Sequence, residues 1–302
     1  MQIGASAAYT YAFRGTRIEL EDYVESIRSL GGLGIRCFDL EVLKPEHISI
    51  YSSPKNIDTL KRACRENGVN IVGFTAWACL KWLHSRDPKD HQQAFALFHK
   101  IAAIAAELGA AYIHLGSDMV GEYIVSRDDT YETAPAVEVT IPRNTGYPEI
   151  MAEYATNLRE LARIAANYGL RFALEPRANS LVCTVDSFQN IAREVDHPNL
   201  FCCLDVTHAT YHREDIHIAI EKLGPRLLVL HLCDCISGRL SHLPLGKGVV
   251  NISSILEALN KVHFDGFVML EIYEGGNDPK TVVDQWYRDA LQLVLSKKTI
   301  FV

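Results

Sequence analysis

Apolar positions along this chain follow two rhythms that take turns. Short apolar runs closed by one polar group read as strands buried on both faces. Longer segments with apolar residues three and four apart read as helices. The first half gives strands at 2–8, 34–40, 70–74 and 111–115, with helices at 19–30, 54–66 and 88–108. The helix at 19–30 is expected to stop at Gly31-Gly32. The second half gives a helix at 148–168 and then four runs, RFALE, NLFCCLD, RLLVLH and GFVMLE, ending at Glu175, Asp205, His231 and Glu271. Helices at 185–195, 213–223, 251–262 and 281–295 follow them in turn.

Strand then helix, eight times, demands parallel strands with right-handed crossovers. Eight units fit a closed (β/α)8 TIM barrel, one domain over 1–302. An open doubly wound sheet competes, but no G-x-G-x-x-G follows the first strand. Only 116–147 breaks the rhythm, being polar with two prolines and no period. A loop this long is commonly functional, and it is expected to lie over the site.

The last four runs end in residues that can bind a metal. Buried carboxylates are costly unless paired or metal-bound, and three of them with a histidine at matched strand ends point to one shared site. Alternation along a strand puts Glu175 on the face of Ala173, Asp205 with Cys203, His231 with Val229 and Glu271 with Met269. The other face carries Phe172, Leu174, Leu204, Leu228, Leu230, Val268 and Leu270. The first set is expected to face the barrel interior and the second the helices. Three carboxylates and an imidazole suit Mn2+ best, or Mg2+ or Co2+, with Zn2+ also compatible.

Composition narrows the class. The chain has 302 residues, 48% hydrophobic and 22% charged, ordinary for a globular protein. A net charge of −7 argues against a nucleic-acid or anionic-membrane surface. No secretory leader pattern follows Met1, and no apolar run nears the roughly 20 residues of a membrane span. The eight cysteines sit mostly inside apolar runs, as reduced thiols do, so a cytoplasmic protein is expected.

Five motifs carry a family resemblance: A-L-E-P at 173–176, L-D-V-T-H at 204–208, H-L-C-D at 231–234, H-L-P-L-G-K-G at 242–248 and L-E-I-Y at 270–273. Together they resemble the sugar phosphate isomerase/epimerase superfamily, the xylose-isomerase-like TIM barrels. The resemblance implies one divalent metal on Glu175, Asp205, His231 and Glu271, with Glu175 and Glu271 as acid and base. It implies isomerisation or epimerisation of a sugar, cyclitol or small hydroxy-keto compound through an enediolate, and often a homo-oligomer. His208 stands where the superfamily contacts substrate oxygens. Arg177, His242, His114 and Trp77 are further candidates for substrate contact, with Tyr9 and Phe13 as stacking candidates beyond the first strand. Rim salt bridges and plain packing are the bland readings of these residues. Lys247 departs from the acidic residue that relatives often carry.

Three other functions remain at this stage. A keto-inositol dehydratase would use the same site, and a non-catalytic binding barrel would retire it. An endonuclease-IV-like enzyme needs histidines at strands two and three, where this chain has Asp39, Glu41, Thr75 and Trp77.

Overall fold

Strands buried on both faces suit either an open doubly wound sheet or a closed barrel, and here the sheet closes on itself. The computed structural model describes residues 1–83, 85, 87–117, 124–127, 137–139, 146–274 and 276–298. The strands are β1 (Gln2–Ala5), β2 (Cys37–Glu41), β3 (Asn70–Thr75), β4 (Tyr112–Gly116), β5 (Ile124–Arg127), β6 (Val137–Val139), β7 (Arg171–Glu175), β8 (Leu200–Asp205), β9 (Leu227–Leu232) and β10 (Phe267–Leu270). Eight of them form a closed barrel in the order β1-β10-β9-β8-β7-β4-β3-β2. Every pair in it is parallel. The fold is a single-domain (β/α)8 barrel. β5 and β6 pair antiparallel as a separate ribbon. Most of 116–147 otherwise lies outside the described residues, and with it the expected cover over the site.

The helices are α1 (Ala8–Arg14), α2 (Leu20–Leu33), α3 (Pro54–Asn67), α4 (Leu80–Leu83), α5 (Pro88–Glu107), α6 (Tyr147–Asn167), α7 (Val185–Val195), α8 (Val206–Tyr211), α9 (Ile216–Leu223), α10 (Ile252–Lys261) and α11 (Lys280–Lys298). None among the described residues is long and apolar enough to cross a membrane. Local chemistry sets several ends. Ser53 caps α3 by accepting from Asn56 N, and Thr184 caps α7 by accepting from Ser187 N. Gly68 ends α3 in the left-handed conformation that glycine adopts without strain.

Side-chain parity holds almost throughout. Ala173, Cys203, Val229 and Met269 meet in a core inside the barrel. Phe172, Leu174, Leu204, Leu230, Val268 and Leu270 join the larger core under the helices. Leu228 departs from expectation and belongs to the inner core. The β8–β9 register explains it, stepping from Cys202 opposite Leu227 to Cys203 opposite Val229, so Leu228 is skipped.

Other boundaries move. β1 stops at Ala5 and the chain turns into α1, where a strand to residue 8 was expected. Helix α2 runs through Gly31-Gly32 and ends at Gly34, whose φ is 86°. A Cβ on Gly31 would lie 2.5 Å from the Asn67 carbonyl oxygen. Gly31 therefore serves close packing of α2 on α3, which single-sequence punctuation cannot distinguish from a helix stop.

Candidate metal and active site

The strand ladder itself collects the four ligand-type residues. Asp205 is in register with His231, and His231 with Met269, two residues before Glu271. Glu175 is opposite Gly116 on the far side of β7. Glu271 lies one residue beyond β10, held there by its N–H donating to the Leu232 carbonyl at 3.0 Å. Glu175, Asp205 and His231 are at most 3% exposed.

These side chains converge on His231. Its Nδ1 is 3.8 Å from both Glu175 Oε1 and Asp205 Oδ2, and touches Glu271 Oε2. Glu175 Oε2, Asp205 Oδ2, His231 Nδ1 and Glu271 Oε2 are all buried without a hydrogen-bond partner. One unsatisfied buried atom is uncommon and four from adjacent strands are rarer still. Atoms of Glu175, Asp205 and His231 come within 4.8 Å of one another, as do those of Asp205, His242 and Glu271. Glu175, Asp205, His231 and Glu271 together make an oxygen-rich set with one nitrogen donor, fit to hold a divalent ion.

The electrostatics show the same demand for positive charge. Burial alone lowers the His231 pKa, but Cys203, Glu271 and Glu175 outweigh it and hold the imidazole well above its ordinary value. Burial likewise opposes the Asp205 carboxylate, yet the nearby imidazoles of His242, His208 and His231 bring its pKa below the usual range. A cation among these carboxylates is what the site favours.

Loops complete the wall. His242 Nε2 is 3.5 Å from Asp205 Oδ2, and its ring stacks on Tyr273 at 4.5 Å and 17°. Its loop is tied by Asp234, whose carboxylate accepts from Cys235, Gly246 and Val250 N–H groups at 2.9 Å each. His208 caps from the other side: its N–H donates to Asp205 Oδ1 at 2.9 Å. The ring Nδ1 of His208 accepts from Ala178 N at 3.3 Å, and Nε2 is 3.9 Å from Glu175 Oε1. Arg177 lies 4.8 Å above the Trp77 ring. A Cβ on Gly116 would fall within 2.5 Å of both, so glycine there permits the stack. His114 bonds Thr75 Oγ1 through Nε2 at 2.6 Å, its ring edge-on to His231 at 5.1 Å.

Glu175, His231, Glu271, His208 and His242, with Arg177, Trp77 and His114, border one cavity of about 520 Å³. Tyr9 and Phe13 do not. Because 8–14 is helical, Tyr9 and Phe13 share a face turned to α11, where the Tyr9 hydroxyl donates to Asp284 and its ring meets Tyr287. Tyr11, two residues from Tyr9, takes the cavity side instead. Lys247 is exposed on its loop and does not border the cavity. Sequence reasoning also passed over Tyr273 and Glu41 as cavity residues. The signal for Glu41 was present: it closes the run CFDLE as Glu175 closes RFALE.

A family model described as xylose isomerase-like TIM barrel matches residues 27–295. A D-psicose 3-epimerase of Ruminiclostridium cellulolyticum is 23% identical over 267 residues, 87% of this chain and 81% of that protein. An uncharacterised protein of Methanocaldococcus jannaschii is 27% identical over 128 residues, and the match spans 41% of this chain and 44% of that protein. Among solved structures, D-psicose 3-epimerase with D-tagatose from Clostridium cellulolyticum H10 superposes with a TM-score of 0.75 at 20% identity, covering 99% of both chains. The IOLI protein with a zinc atom superposes at 0.72 and 19% identity, again covering 99% of each. At such identities the structural likeness speaks to the fold alone.

Proposed function

Because the chain belongs to the xylose isomerase-like TIM barrel family, we propose that it is a divalent-metal-dependent epimerase or isomerase of a sugar, cyclitol or small hydroxy-keto compound. The observation that carries this reading is the convergence of four buried, unpartnered ligand atoms at the ends of β7 to β10, three of them on residues that border the cavity. The name of the psicose epimerase relative favours a ketohexose.

Glu175, Asp205, His231 and Glu271 hold the ion, with Mn2+ the first choice for so oxygen-rich a set. Bound there, it supplies Lewis-acid polarisation of a substrate carbonyl and its neighbouring hydroxyl. Glu175 and Glu271 carry the protons. One, as carboxylate, takes a proton from the carbon beside the carbonyl, and the other, starting protonated, gives up its own proton to the substrate. Delivery to the same carbon from the opposite face epimerises, whereas delivery to the neighbouring carbon isomerises. Burial holds the His208 pKa down at about 3, so its ring is neutral. Its Nδ1 accepts from Ala178, so the hydrogen sits on Nε2, facing substrate oxygens. His242 and Tyr273 form a flat wall, and Arg177 is braced on Trp77 to meet a substrate oxygen.

The test is chelator-treated protein reloaded with Mn2+, Mg2+, Co2+ or Zn2+ and offered D-psicose, D-fructose, D-tagatose and inososes. Proton exchange at the carbon beside the carbonyl is followed by NMR in D2O. Metal-dependent exchange is expected, and water loss instead would move the reading to a dehydratase. Protein that binds no Mn2+ by EPR overturns it. Glu271→Gln is expected to retain Mn2+ while turnover falls about 10²–10⁴-fold.

A further inference from the structure

One buried carboxyl borders the cavity and has no part in the chemistry above. Glu41 closes β2, is 6% exposed, and its Oε1 is buried without a hydrogen-bond partner. Its peptide is fixed from behind: Tyr51 and Tyr23 hydroxyls donate to the Glu41 carbonyl at 2.8 and 3.3 Å. Both tyrosines are at most 1% exposed, so this anchor is rigid. Asp39, two residues earlier on the same strand face, makes the contrast. The Tyr112 hydroxyl shares its hydrogen between both Asp39 oxygens, at 2.8 and 2.7 Å.

Position adds a second argument. In the barrel order β2 lies four strands from β8 in either direction, so Glu41 stands across the mouth from Asp205. A ligand held among Glu175, Asp205, His231 and Glu271 that extends across the mouth from Asp205 brings its far end to Glu41. A three-carbon hydroxy-keto acid has no such end, whereas a six-carbon polyhydroxylated ketone does.

Resting on the reading of the site given above, we propose that Glu41 binds a distal hydroxyl of the substrate and selects six-carbon polyhydroxylated ketones over shorter ones. Polar groups built to pair with a substrate hydroxyl discriminate strongly against analogues lacking it, because the protein group is then left unpaired. Burial, with a smaller contribution from Glu271, raises the Glu41 carboxyl to about 8. At neutral pH it carries a proton and can both donate and accept.

The test compares wild type, Glu41→Gln and Glu41→Ala, all Mn2+-loaded, on D-psicose and its 4-, 5- and 6-deoxy analogues. Glu41→Ala is expected to raise KM about tenfold or more with unchanged Mn2+ affinity by EPR. Glu41→Gln, which keeps a donor and an acceptor, should recover most of that loss. For one deoxy analogue, wild type and Glu41→Ala should have equal KM. An unchanged KM in Glu41→Ala, or an equal loss on every analogue, overturns the proposal and leaves the metal reading standing. Wild type that binds Mn2+ but neither binds nor turns over D-psicose removes the six-carbon assignment. Should Glu41→Ala fail to fold, Glu41→Met, of similar length but without donor or acceptor, takes its place against the deoxy series and must lose discrimination at one position.

Discussion

Glu41 links the site to the stability of the whole protein. Its carboxyl moves from an ordinary 4.5 to about 8 in the folded chain. Between those values the folded state holds a proton that the unfolded state has released, so stability falls as pH rises through that window. The full window corresponds to at most about 5 kcal/mol. Glu41→Gln removes the titration, and thermal denaturation from pH 5 to pH 9 should show the variant losing less stability than wild type. Parallel curves for the two proteins would contradict this. The same residue marks the limit of what sequence reading reached. Glu175, Asp205, His231 and Glu271 were legible because each closes its own apolar run, and parity put them on one face. Glu41 carried the same signature but lay outside the stretch holding the family motifs. Tyr9 and Phe13 misled because side-chain direction depends on whether the chain is strand or helix, and 8–14 has too few residues to show a period.

At the scale of elements, adjacent glycines in α2 have opposite roles. A Cβ on Gly31 would collide with backbone and side chain of Asn67 in α3, whereas one on Gly32 would meet nothing within 4 Å. Gly31→Ala should therefore destabilise by about 1–3 kcal/mol through overpacking. Gly32→Ala should stabilise by about 0.5–1 kcal/mol, because alanine restricts the unfolded chain and favours helix. Urea denaturation of the two variants checks the pair, and a shift of the same sign in both would refute the packing argument. Periodicity located the main helices to within a few residues. It missed α1, α4 and α8, short turns of helix beyond strand ends. It also placed the start of α9 three residues early, because Arg213 to Asp215 supply no apolar marker for the boundary.

For the molecule as a whole, eight strand–helix units without a dinucleotide fingerprint favoured a closed barrel over an open sheet before any coordinates. The contents of the barrel could not be read in that way. Inside it, Tyr112 on β4 reaches over β3 to Asp39 on β2, and Gly73 of β3 makes the room: a Cβ there would lie 2.3 Å from the tyrosine ring. Nothing local in the sequence couples residues 73 positions apart. Tyr112→Phe leaves the Asp39 carboxyl buried without that donor and should cost about 1–3 kcal/mol in global unfolding. Calorimetry would show it as a lowered Tm, and an unchanged Tm would mean that another group satisfies Asp39. The split between strand-borne and loop-borne groups has a further consequence. Glu175, Asp205 and His231 are spaced by the backbone ladder, and Glu271 by its first bond beyond it. Arg177, Trp77 and His242 hang on connecting segments that can lengthen, shorten or mutate without shifting a single rung. Descent with modification in such an architecture keeps the reaction while the appetite for substrates drifts.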